Sequence, residues 1–330
     1  MIRVLHNRLT VEKAGILDTI QDLGRYGQQR SGINPCGAMD GYALQMANAL
    51  VGNLPEEAGI ELHFPASIFK VEHPMLIGLA GADMNAQLNG RSIPLLHPIK
   101  VIKNDIIHFQ HLRSGYRTYM AVEGGFHFTE GGYSSSTNLK AGYGGFKGRA
   151  LRKGDALMAY DPADAFITAG VLPWTIDPDF EEPNEAIRIL PGHEWNRLNQ
   201  EEQKKFLEQD FIIDKRSDRM GCRLSGQALL IEKGDELVSS AVNFGTIQLL
   251  PDGSPIVLMA DHQTTGGYLR IAHMIHADRS KMAQKKPGDL VRFAMVTQKQ
   301  AESIYIKQQE YLLHLSKVLR LKISQFDHKL

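Results

Sequence analysis

The chain has 330 residues, 43% of them apolar and 22% charged, and its 37 basic side chains balance 37 acidic ones for a formal net charge of zero. Such a length exceeds one ordinary hydrophobic core and suits two, and the composition excludes wholesale disorder. Neutrality argues against a general nucleic-acid or anionic-membrane surface, and no apolar run reaches the roughly 18 residues that a membrane helix needs. Only Cys36 and Cys222 carry thiols, which excludes a disulfide framework and a zinc site of paired cysteines. The first eight residues lack the apolar core of a secretory signal, so a reducing cytoplasm is the expected setting.

Along the chain, 31 glycines and 14 prolines separate brief β-branched or aromatic runs. Asp40 to Val51 reads as a helix behind an aspartate N-cap. Short strands follow at Ile99–Ile102, Ile187–Leu190 and Pro255–Met259, the pattern of barrels or sandwiches. Leu198 to Gln209 is a polar helix. From Thr297 to about Ser324 an amphipathic helix carries a stripe of Tyr305, Tyr311, Leu312, Leu315, Val318, Leu319 and Leu321, expected to pack on the body or on a partner chain.

A short element recurs: a lysine, then Gly-Asp or Asn-Asp, then a β run. It stands at Lys103-Asn104-Asp105, Lys153-Gly154-Asp155, Lys233-Gly234-Asp235 and Lys286-Pro287-Gly288-Asp289. Gly and Asn tolerate positive φ, and Asp can accept from nearby N–H groups, so each reads as a tight turn. The aspartates of the first pair are 50 residues apart and those of the second 54. A Gly-Gly-Tyr flanked by hydroxyl residues lies inside each pair, at 131–133 and at 266–268. The matched order suggests an internal duplication with its boundary near 173–184, giving domains 1–175 and 176–330.

No P-loop, dinucleotide-binding glycine fingerprint, HExxH or nucleophile elbow is present. Cys36 lacks a neighbouring histidine to activate it and reads as inert. Three polar stretches stand out: 18–27 with Gln21, Asp22 and Arg25; 217–224 with Asp218 and Arg219; and Gly245–Gln248 followed by 261–268, with Gln248, Asp261, Gln263, Thr264 and Thr265. Carboxylate, amide and glycine-opened backbone together suit recognition of a small amide or acid. Gln21-Asp22 and Ser217-Asp218-Arg219 read equally well as turn and capping networks.

The chain resembles the family of KipA, the 5-oxoprolinase C subunit and allophanate hydrolase subunit 2, which is related to the carboxyltransferase region of urea carboxylase. The matching residues are QDLGRYG (21–27), GAMD (37–40, ending in Asp40), LVGN (50–53, ending in Asn53) with Glu61, GAD (81–83), YMAVEGG (119–125), SDRMGCRL (217–224), GTIQ (245–248), PIVLMADHQTTGGY (255–268) and PGDLVRF (287–293). Cys222 stands where the family usually has Tyr, and Ser225 where Glu is common.

The resemblance implies a mainly β fold of two cyclophilin-like β-barrel domains, with a few short helices and a C-terminal helix. It also implies a KipI-like 5-oxoprolinase B subunit as partner, a third oxoprolinase subunit, and ATP as co-substrate of the complex. Opening of the 5-oxoproline lactam to glutamate is the leading reading. A biotin-dependent carboxyltransferase acting on urea or a related amide, and a KipA-like regulator binding a KipI-type kinase inhibitor, are the alternatives. No Met-Lys-Met site is present, so biotin would arrive on another protein. Asp218, Arg219 and Asp261 are the expected catalytic residues. Gln21, Asp22, Arg25, Asp40, Asn53, Gln248, Gln263, Thr264 and Thr265 are expected to bind substrate, and no metal is expected.

Overall fold

The computed structural model describes residues 5–128, 134–160, 168–179, 185–231 and 237–327. The chain forms two compact units, one of Met1–Gly24, Asp40–Phe180 and Gln309–Leu330, the other of Arg25–Met39 and Glu181–Gln308. They differ from the sequential halves 1–175 and 176–330 at three places: residues 25–39 belong with the second unit, and residues 176–180 and the end of the last helix belong with the first.

The first unit holds two six-stranded antiparallel sheets. One runs Ala156–Tyr160, Leu5–Lys13, Ile68–Val71, Ile106–Phe109, Ala86–Leu88, Arg91–Ser92. The other runs Gly170–Val171, Pro98–Val101, Met75–Asp83, Ser114–Val122, Gly59–His63, Thr19–Gln21. Leu9, Val11, Phe69 and Ile107 from the first sheet share a core with Ile60, Ile77, Met120 and Val122 from the second. Helix α1 (Gly41–Leu50) covers the outer face of the second sheet, so Met75–Asp83 is buried almost throughout and reads as an unbroken apolar run. Gly78 permits that approach, because a Cβ there would stand 2.5 Å from the Ala47 carbonyl oxygen. The expected N-cap is present, with the Asp40 carboxylate accepting from Ala43 N–H at 2.9 Å.

The second unit is built on one eight-stranded sheet. Its order is Leu290–Val291, Phe211–Ile213, Gly221–Ser225, Pro255–Leu258, Thr246–Leu249, Leu269–Met274, Ile187–Pro191, Phe293–Met295. The two edge strands are separated in sequence only by Arg292, so the sheet curls into a nearly closed barrel. Helix α2 (Gln200–Glu208) is polar by composition, yet it sends Phe206 into the core, stacked on Phe293 with ring centroids 5.0 Å apart. Helix α3 (Arg279–Ala283) buries Met282 and Ala283. The mainly β class expected of two cyclophilin-like barrels is observed, with few helices.

Helix α4 (Gln298–Asp327) is the expected C-terminal helix. Its buried positions are Gln308, Leu312, Leu319 and Ile323, whereas Leu321 and Tyr305 of the expected stripe are exposed. Within the first unit, Ile323 reaches Gly52, and the Tyr311 hydroxyl donates to the Asp177 carbonyl.

The recurring turn is one device used three times among the described residues. Asn104, Gly154 and Gly288 have φ of 73°, 86° and 93°. The following Asp accepts from the N–H three residues before it: Asp105 from Ile102 at 2.8 Å, Asp155 from Arg152 at 2.7 Å, Asp289 from Lys286 at 2.9 Å. Each turn is clipped to a neighbouring strand by the same pair of backbone bonds, at Val71, Val11 and Ile213 respectively. The Lys233 copy, Gly131-Gly132-Tyr133 and residues 180–184 of the expected boundary lie outside the described residues.

Candidate functional site

The strand Gly221–Ser225 alternates, with Cys222 and Leu224 facing the core and Arg223 and Ser225 facing solvent. The preceding turn is organised by Asp218, whose Oδ1 accepts from Met220 N–H at 2.8 Å and Gly221 N–H at 3.2 Å. These bonds fall on one carboxylate oxygen of an exposed side chain. On Thr246–Leu249, two places across the sheet, Gln248 pairs with Ile256 and Arg270.

Between these elements lies a cavity of about 490 Å³ whose walls include Asp218, Gln248, Gln263, Arg216, Arg223 and Tyr268. Gln248 is buried, and its Nε2 has no hydrogen-bond partner. An amide N–H₂ withdrawn from water without an acceptor is costly unless a ligand completes it. Gly266 makes room for this amide, since a Cβ there would stand 2.5 Å from Nε2. Thr265 and Gly266 pair with Ala241 and Ser240, and the Thr264 carbonyl accepts from Val242 N–H, so the backbone of this stretch is engaged.

Arg219 and Asp261 take a different place. Arg219 donates through Nε and Nη2 to the two carboxylate oxygens of Asp261 at 2.9 and 3.0 Å, and through Nη2 to the Gly37 carbonyl at 2.6 Å. Both are buried, and neither lines the larger cavity. The pair anchors residues 25–39, to which the Asp261 carbonyl adds a bond from Asn34 Nδ2 at 3.0 Å. Arg25 belongs to the same segment, is buried, and donates its backbone N–H to Pro35.

The four remaining residues lie in the first unit, each engaged with its own surroundings. Gln21 donates to Thr19 Oγ1 at 3.0 Å and to the Thr137 carbonyl at 3.3 Å. Asp22 accepts from Gly24 N–H, Ser134 Oγ and Ser135 N–H at 2.7, 2.7 and 2.6 Å, ordering the 134–136 loop. Asp40 caps α1, and its N–H donates to the Tyr119 hydroxyl, which donates to Glu61 at 2.6 Å. Asn53 bridges Asn48 Oδ1, the Val122 carbonyl and Gly124 N–H. Asp218, Gln248 and Gln263 are therefore the expected residues that share a cavity. Of the other charged or aromatic wall residues, Arg223 and Tyr268 lie inside the matched motifs without being singled out, and Arg216 lies just before one. Arg223 was open to discovery through the strand alternation, which sets it two places from Gly221 on the outward face.

Among the described residues no helix is long and apolar enough to cross a membrane. Residues 31–295 match the family described as carboxyltransferase domain, subdomain A and B. The chain is 33% identical over 301 residues to the 5-oxoprolinase C subunit of Haemophilus influenzae, covering 91% of this chain and 95% of that one. It is 34% identical over 311 residues to the 5-oxoprolinase C subunit of Escherichia coli, covering 93% of this chain and 97% of that one. In fold it superposes on a crystal structure of the K. lactis urea amidolyase with a TM-score of 0.84 at 23% identity. That match covers 95% of this chain and 20% of the solved one, so the chain spans about a fifth of the urea amidolyase.

Proposed function

The chain belongs to the carboxyltransferase domain family, subdomain A and B, and from that premise we propose that it is the C subunit of an ATP-dependent 5-oxoprolinase. The carrying observation is its likeness to two 5-oxoprolinase C subunits over at least 95% of their length. The complex would add a KipI-like B subunit and a third subunit, and would open the lactam of 5-oxoproline to L-glutamate in the cytoplasm.

The larger cavity suits that substrate. The unpartnered Gln248 Nε2 is a donor for the lactam oxygen, and Asp218, held through Oδ1, offers its other oxygen to the ring N–H or acts as base. Gln263 on the wall orients the ring, and the Arg223 guanidinium on the rim is the counter-charge for the substrate carboxylate. The Arg219–Asp261 pair, already saturated, acts as a positioning element that holds residues 25–39.

An unstrained lactam resists water because its amide is resonance-stabilised. Transfer of the γ-phosphoryl group of ATP to the lactam oxygen removes that resonance and yields ADP. One water then adds to the ring carbon, and the C–N bond breaks with its electron pair and a proton going to nitrogen. A second water releases phosphate from the resulting γ-carboxyl phosphate, leaving glutamate. The chain has no P-loop, so ATP binds in a site of another type or one shared with the partner.

The test is reconstitution with the candidate partner subunits, 5-oxoproline and ATP, followed by a glutamate assay. Turnover is expected, and Gln248→Ala is expected to lower kcat/KM by roughly 3–10-fold, the usual loss for one substrate hydrogen bond. Absence of glutamate from a folded, assembled complex would sink the reading. Carboxyl transfer from carboxybiotin to urea under the same conditions would replace it.

A further inference from the structure

The second unit contains another cavity, of about 230 Å³, which shares no wall residue with the larger one. Tyr26, Cys36, Phe244, His262 and Arg279 line it, together with apolar Pro35 and Ala260. Arg279, the first residue of α3, dominates it. Its guanidinium lies over the Phe244 ring, 4.7 Å from the centroid, and Nη2 donates to the Phe244 carbonyl at 3.0 Å. Its Nε is buried and has no hydrogen-bond partner.

Among the described residues no carboxylate pairs with Arg279, and the groups that favour its charge are the Tyr26 and Tyr305 hydroxyls. The nearest acid in sequence, Asp278, is taken by Arg188, at 2.9 Å from Nε. Burial accordingly pushes the Arg279 guanidinium below its ordinary value. A partly buried cation whose Nε is withdrawn from water without a counter-charge is costly, and an anion in the cavity would offset that cost.

The other walls restrict which anion fits. The Cys36 thiol is pushed up to about 12, chiefly by burial, so it stays protonated and adds no charge. His262 is buried, and its Nδ1 lies 2.6 Å from the Gln263 carbonyl. A carbonyl only accepts, so Nδ1 carries the proton; burial keeps the ring neutral, and Nε2 is left as an acceptor. Among its wall residues the cavity thus offers one positive charge, a planar guanidinium stacked on an aromatic face, and the neutral polar groups of His262, Asn243 and Tyr26.

We propose that this cavity binds a small planar monoanion of the O–C–O type, a bicarbonate or a carboxylate, with Arg279 as the recognising cation. A planar guanidinium matches two coplanar oxygens, and a single cation balances a monoanion. Inorganic phosphate can also engage the fork, but as a dianion it leaves one charge that the single cation does not balance.

The experiment uses the full chain alone, without partner subunits, 5-oxoproline or ATP, so its outcome is independent of the oxoprolinase assay. At constant ionic strength, sodium bicarbonate, sodium acetate and inorganic phosphate are titrated while the ¹⁵N resonance of Arg279 Nε is followed. Saturable shifts with bicarbonate and acetate are expected, and Arg279→Gln should weaken binding of both by at least about tenfold. Should that variant fail to fold, Arg279→Lys keeps the charge and loses the fork, and the wild-type Nε resonance answers directly. Bicarbonate binding more tightly than acetate, and losing more on His262→Ala, would identify free bicarbonate as the ligand. The reverse order would identify the carboxylate of an organic acid. No saturable shift with either, undiminished binding in Arg279→Gln, or a preference for phosphate would each overturn the proposal.

Discussion

Asp261 and Arg219 form a fork-to-fork pair with almost no exposure to water, so removing one partner strands the other. Asp261→Asn should destabilise the second unit by about 3–5 kcal/mol, and replacing both members by apolar residues should recover much of that loss. Denaturant unfolding of the two variants measures both quantities. Asp18 makes a prediction of opposite character. Its carboxyl accepts from His63 and Ser67 N–H at 2.9 and 2.6 Å, yet burial raises its pKa from 3.8 to about 6. The folded state therefore favours the protonated acid. The contribution is full below about pH 3.8 and is lost as pH rises toward 6, on the order of 3 kcal/mol in all. Asp18→Asn, neutral at every pH, carries a fixed offset from its altered acceptors. The difference in melting temperature should move in its favour between pH 4 and 6.5, and a gap independent of pH would contradict this account.

The three Asp turns show which elements a sequence discloses. Each is specified within four residues by a positive-φ position and an acceptor side chain, so Asn104-Asp105, Gly154-Asp155 and Gly288-Asp289 were legible as turns. A Cβ at Gly154 or Gly288 would meet nothing within 4 Å, so substitution there measures backbone strain alone. Gly288→Val should cost about 1–2 kcal/mol and Gly288→Asn markedly less, read from thermal unfolding. The helices were legible for the same local reason: the capped α1 and the long α4 lie within a few residues of their expected bounds. The candidate site was less so. Asp218 and Gln248 looked no different in sequence from Asp22 or Asn53. What separates them is that Asp22 meets serines 112 to 114 residues away, whereas the Gln248 amide meets nothing.

At the scale of the whole molecule, each unit has its own core and each draws on distant sequence. Ending the chain at Gln308 would remove Leu312, Leu319 and Ile323, buried side chains of the first unit. At about 1.5–3 kcal/mol each, their loss should destabilise that unit by roughly 5 kcal/mol. Hydrogen exchange should then quicken in Met75–Asp83 and stay protected in Thr246–Leu249. Equal loss in both strands would show that the helix end serves the whole chain.

The 25–39 segment sets a timetable for synthesis. The Gly37 carbonyl waits for Arg219, 182 residues later, and Asn34 waits for Asp261, 227 residues later. At ribosomal rates of about 5–20 residues per second, 227 residues take on the order of 10–50 s. For that interval a nascent chain carries this strap with its eventual partners still untranslated. The first unit likewise lacks Leu312, Leu319 and Ile323 of its buried side chains until residues 309–327 emerge. Both units therefore complete their cores only late in translation, the second when Asp261 and the strands after it appear and the first when the last helix does.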